Sequence, residues 1–118
     1  MSEQYPFNGL PSLDDEVVRP LKELLGDHFA ELVNDFISSF PPQLDKLKTA
    51  SNTNDADSMM QISHNLKSSS GSFGFIRLFK RLEHLEQQAR KNNLVNHADQ
   101  VKLIDEEFQC VFEKMNTN

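Results

Sequence analysis

From Phe29 to Phe40 the apolar residues fall at spacings of three and four: Phe29, Leu32, Val33, Phe36, Ile37, Phe40. That period makes one broad apolar stripe on a helix and does not fit a strand, whose side chains alternate between faces. The stripe resumes in phase at Leu44 and Leu47, beyond Pro41 and Pro42. A loop would usually lose the phase, so the spacing predicts one continuing helix kinked at the prolines. The same period recurs along the chain, and no segment alternates as a strand does. A short first helix carries Val17, Val18, Leu21, Leu24 and Leu25. Asp14 or Asp15 caps it, with Pro20 able to push its start later. Gly26 stops it, and Asp27 caps the second helix. Ser51 to Asp55 is turn-like. A third helix with Met59, Ile62 and Leu66 ends near Gly71, and Ser72 to Gly74 make a tight connection. The fourth holds Phe75, Leu78, Phe79, Leu82, Leu85 and Ala89, and Asn92 and Asn93 end it. The last runs from Leu94 through Ala98, Val101, Ile104, Phe108, Val111 and Phe112 to Met115. The fold predicted is all-α: an antiparallel up-down four-helix bundle, with the short extra N-terminal helix across one end. Residues 1–12, with Pro6, Gly9 and Pro11 and no helical period, read as a flexible arm that Phe7 can pin. Residues 13–118 form the bundle.

At 118 residues the chain has room for one domain and none for a nucleotide-binding kinase core beside a substrate domain. It carries 12 Lys and Arg against 18 Asp and Glu, a net charge of −6. An acidic chain of this size repels phosphate backbones, so nucleic acid is not the expected partner. No apolar run approaches the roughly 20 residues of a membrane span. The first ten residues lack the basic and then apolar order of a secretion signal. A lone Cys110 cannot form an internal disulfide. These features point to a soluble, cytoplasmic protein. It is expected to be a monomer.

His64 carries the chemistry. With His64 set at zero on the third helix, Ile62 lies at about 160°, Leu66 at about 200° and Met59 at about 220°. The predicted core stripe is opposite, so the imidazole faces solvent. Met60, Lys67, Ser68 and Gly71 flank it at spacings of three, four and seven. Ser68 and Gly71 are small, which lets another protein's backbone approach. Lys67 reads as an exposed cation one turn from the ring, able to stabilise a phosphoryl group on it. The angle alone favours an ordinary surface histidine. The neighbours favour a phosphoryl acceptor over a general base, because nothing around the ring implies a substrate cleft.

The run His64-Asn65-Leu66-Lys67-Ser68-Ser69-Ser70-Gly71-Ser72-Phe73-Gly74 resembles the signature of histidine phosphotransfer (HPt) domains, His-x-Leu-Lys-Gly-Ser/Ala-Ser/Ala with a Gly three residues further on. Leu85-Glu86-Gln87-Gln88-Ala89-Arg90 is similar to the family's downstream Leu-Glu-x-x-x-Arg. Ser68 stands where the family usually has Gly. In that respect, and in Ser72-Phe73-Gly74, the chain resembles stand-alone HPt proteins of quorum-sensing relays. The resemblance implies a phosphoryl carrier without autokinase activity. It would take a phosphoryl group on the Nε2 of His64 from a receiver domain of a hybrid sensor kinase and pass it to the receiver of a response regulator. It implies no cofactor of the chain's own, with Mg²⁺ supplied by the receiver. It implies a docking face of Met60, Gln61, Lys67, Ser68 and Gly71, extended by the exposed side of the second helix. It also makes Glu86 the group that orients the imidazole through Nδ1. Helical arithmetic puts Glu86 about 40° from Leu82, at the edge of the apolar face, where a carboxylate needs a partner. Pairing with Arg90 at i+4 would meet that need equally well.

Two other readings are open. The bundle could bind a receiver without exchanging phosphate, or it could be a small helical hydrolase or metal site. Ser69, at about 140° from His64, reads as a small spacer for close helix packing with its hydroxyl bonded back to the backbone. Gly71 and Gly74 lack the strand and the Lys-Ser/Thr of a phosphate loop. His28, His84 and His97 share no metal-ligand spacing, and the Ser-rich run lacks a nucleophile elbow.

Overall fold

The computed structural model describes Phe7 and residues 9–116, and among them all regular structure is helical. Five helices follow in order: α1 (Asp15–Leu25), α2 (Asp27–Asn52), α3 (Ala56–Ser72), α4 (Ile76–Arg90) and α5 (His97–Asn116). Asp14 caps α1, its Oδ1 accepting the Glu16 N–H at 3.0 Å. Pro20 lies inside α1 and does not delay its start. Its ring is exposed, and the carbonyl it leaves unpaired belongs to exposed Glu16, within reach of water. Gly26, at φ 56°, is both the end of α1 and the N-cap of α2. Asp27 is thus the first helical residue, not the predicted cap, and places its charge at the positive end of the α2 dipole. Asp55 caps α3 through the Ser58 N–H at 3.1 Å. Phe75, expected inside α4, is its N-cap, and Leu94 precedes α5 while packing against the core.

Helix α2 passes through Pro41 and Pro42 without a break. Phe36, Phe40, Leu44, Leu47 and Ala50 are all buried along one side, so the phase read from the sequence holds. Each long helix packs on its sequence neighbours, and α2 also closes on α5, which makes α2 to α5 a four-helix bundle. Its centre is aromatic. Phe40 stacks on Phe108 with centroids 4.3 Å apart and planes 5° from parallel, while Phe36 meets Phe73, Phe75 and Phe108. Helix α1 adds a smaller cluster of Val18 with Phe29 and Val33, at the end of the bundle where the α3–α4 turn and Met115 lie.

The segment before α1 falls partly outside the described residues, at 1–6 and 8. Of the remainder, the Phe7 ring meets His84 edge-on at 6.0 Å, and Ser12 is buried. Arg77 of α4 donates through Nε to the Leu10 carbonyl at 2.8 Å and pairs with Glu107 of α5 at 3.1 Å.

Candidate functional site

Helices α3 and α4 form the most extensive pair in the bundle, and their closeness builds the site. The residues of α3 buried against the core are Met59, Ser63, Leu66 and Ser70. Ser63 and Ser70 belong to the core stripe although they are not apolar. The stripe is therefore centred at about 230° from His64, some 40° beyond the apolar residues alone. Ser70 donates its hydroxyl to the Leu66 carbonyl at 2.8 Å, which satisfies it inside the core. The spacer role expected of Ser69 falls to these two serines, and Ser69 itself is exposed. Gly71 has a second reason to be small. A Cβ there would stand 3.0 Å from the Phe79 ring of α4.

With the stripe so placed, His64 leans toward α4 and remains open, its side chain 55 % exposed. Its Nδ1 lies 2.9 Å from Oε2 of Glu86. Arg90 donates to the same Oε2 at 2.6 Å, so orienting contact and helix pair coexist. Lys67 is not the free surface cation that its spacing predicts. It is about four-fifths buried, and its Nζ sits 2.7 Å from Oε1 of Glu86. At about 300° from His64 it occupies the far edge of the true core stripe, and there it meets α4.

Glu86 is only 4 % exposed at its side chain. Burial alone would push its carboxyl up, but the contacts from Lys67, His64 and Arg90 outweigh it and hold the group below its ordinary value. The carboxylate is thus ionised at neutral pH. It can only accept at Oε2, so the imidazole donates through Nδ1–H. Nε2, on the opposite side of the ring, keeps its lone pair as a nucleophile.

Around the ring, Met60, Gln61, Asn65 and Arg90 border a shallow open depression. Ser68 and Gly71, also exposed, continue this face into an apolar hollow lined by Val17, Ile76 and Phe79. The hollow extends the predicted docking residues toward α1 and α4. Sequence reasoning missed the Ile76–Phe79 wall, because Phe79 reads as an ordinary core position and Ile76 lies outside the apolar stripe of the fourth helix. Ser68 donates to the His64 carbonyl at 3.2 Å. His28 pairs with Glu31, His97 with Ser51, and His84 with the Phe7 ring, each away from the others. Among the described residues no group of three His, Cys, Asp or Glu side chains could hold a metal ion. No helix among them is long and apolar enough to cross a membrane.

No curated protein matches the sequence. Among solved structures, the chain is similar to histidine-containing phosphotransfer protein B (HptB) from Pseudomonas aeruginosa PAO1, at 26 % identity and a TM-score of 0.87, over 92 % of this chain and 94 % of that one. The Hpt domain family model matches residues 31–113, which takes in the candidate site and all but the ends of the four-helix core. A match over so much of the chain makes the protein a member of the Hpt domain family.

Proposed function

We propose that the protein carries a phosphoryl group on His64 between receiver-domain aspartates of a two-component phosphorelay. The observation that supports this most is the pairing of an exposed imidazole with a buried, ionised Glu86 on Nδ1, which leaves Nε2 outward as the nucleophile. The receiver supplies Mg²⁺ and the acyl phosphate; this chain supplies a positioned ring and a face to dock on. Lys67 and Arg90 pair with the same Glu86 carboxylate that holds the ring, and their positive charge there helps offset charge that arrives on Nε2. Met60, Gln61, Ser68 and Gly71 form the rim against which the receiver closes. Transfer takes place in the cytoplasm, with this chain as a monomer. Ser68 in place of Gly is consistent with the quorum-sensing type of relay.

The test is transfer of labelled phosphate from phosphorylated receivers to the purified chain and on to a second receiver. Acid-labile, base-stable label on His64 that moves onward supports the carrier role. Receiver binding with no label on His64 would leave an interaction module in its place.

A further inference from the structure

The three contacts on Glu86 bear on the chemical form of the phosphorylated ring. This inference rests on the carrier function proposed above. The charged groups facing the carboxylate are Lys67 from α3, largely buried, and Arg90 from α4, which like the imidazole is open to solvent at its outer side. With the ring neutral, one carboxylate and two cations leave the cluster with one net positive charge. A phosphoryl group adds about two negative charges. The cluster then balances only when the ring is cationic, with a proton on Nδ1 as well as phosphorus on Nε2.

We propose that His64 keeps its Nδ1 proton against Glu86 throughout transfer, so that the phosphorylated protein is a phosphoimidazolium, a short-lived transit form rather than a store. The step balances without a base. The Nε2 lone pair forms the N–P bond, and the P–O bond to the donor's aspartyl carboxylate breaks with its electron pair left on that carboxylate. No proton leaves the ring, which takes up the positive charge. In onward transfer the N–P pair returns to Nε2 while the acceptor's carboxylate forms the new P–O bond. The leaving group is then a neutral imidazole, a far better one than an imidazolate.

The geometry closes the other routes for the proton. Nδ1 faces a carboxylate that is 4 % exposed, so the proton does not escape readily to water. Lys67 and Arg90 hold that carboxylate ionised, so it does not take the proton outright. A glutamine at this position would accept the same hydrogen bond without the charge, and would leave the phosphorylated ring free to become neutral.

The test uses the full chain phosphorylated chemically with phosphoramidate, which needs no partner protein. Nitrogen NMR of the ring follows the Nδ1 proton against pH, with the same phosphorylated chain in denaturant as reference. The folded protein is expected to hold the proton to about one pH unit or more above the reference. Glu86→Gln is expected to bring the midpoint back to the reference and to lengthen the phosphoryl half-life several-fold, with helical circular dichroism preserved. The wild-type titration needs no variant, so it decides even where Glu86→Gln fails to fold. A folded midpoint equal to the reference would overturn the inference and leave the relay function standing. Failure of phosphoramidate to label His64 would overturn both.

Discussion

Glu86 is the residue on which stability and chemistry meet. Its carboxyl titrates below the ordinary value of 4.5, because the contacts from Lys67, His64 and Arg90 outweigh the burial that would raise it. A carboxyl depressed in the folded state contributes stability that is fully present above the unfolded value. That stability is lost as pH falls from about 4.5 through the folded value. Glu86→Gln should therefore be less stable than wild type at neutral pH, by about 1–2 kcal/mol because two of the partners are half or more exposed. The gap should narrow as urea midpoints are taken below pH 4.5; a constant gap would mean that packing and not charge is lost. His64→Gln belongs to the same scale with the opposite balance. At 55 % exposure the ring contributes little to folding, so the change should stay within about 0.5 kcal/mol while abolishing phosphoryl uptake. Label persisting on His28, His84 or His97 in that variant would remove His64 from its role. Lys67→Ala should slow transfer and also cost about 1 kcal/mol, since Lys67 is tied to Glu86 and not free in solvent. A thermal unfolding curve identical to wild type would mean that the tie is not formed in solution.

At the scale of elements, Gly74 decides how α1 meets the bundle. Its φ of 76° is a conformation that side chains strain, and its carbonyl accepts the Asp14 N–H at 2.8 Å. A Cβ there would stand 2.9 Å from the Cβ of Val17. Gly74→Ala should lower stability by about 1–3 kcal/mol through strain and displacement of Val17. Amide exchange should quicken in α1 before the other helices, and uniform quickening would show that α1 is not a separate unit. Helices of this kind are legible in sequence as far as apolar side chains mark their faces. The stripe from Phe29 to Leu47 is unambiguous, and α2 continues past Pro41 and Pro42 as its phase requires. Helix α3 is less legible, because two of its four buried positions are serines and polarity alone sends them to the surface. That shift moved Lys67 from solvent onto Glu86 and exchanged Ser69 for Ser63 and Ser70. Buried Arg81 and Glu107, on facing helices, were invisible for the same reason: charge marks a surface until a partner across the bundle is known. Glu86 was readable because it sits at the edge of a clear apolar face. What a single helix could not supply was the register of α3 against α4, which decides that its orienting and pairing contacts occur together.

Across the whole molecule, the aromatic centre and the phosphoryl site are built from different helix pairs. The site draws its imidazole and its cations from α3 and α4. The aromatic centre ties α2 to α5 through the Phe40–Phe108 stack, with Phe36 reaching Phe73 and Phe75. The close α3–α4 contact, with Gly71 against the Phe79 ring, holds His64 over Glu86 at the bundle surface. The Phe40 ring lies at the centre, fully buried. Phe40→Ala removes a ring that the surrounding helices cannot refill, at a cost of about 3–5 kcal/mol. For a domain with stability of about 5–15 kcal/mol, such a loss leaves a folded majority under mild conditions. The variant should show a much lower urea midpoint, yet in the cold its phosphoryl transfer per folded molecule should equal wild type. The measurement is a transfer time course normalised by the folded fraction from circular dichroism. A normalised rate that falls with the midpoint would mean that the core sets the distance between α3 and α4. In that case the His64–Glu86 contact would be a property of the whole bundle and not of the one helix pair that presents it.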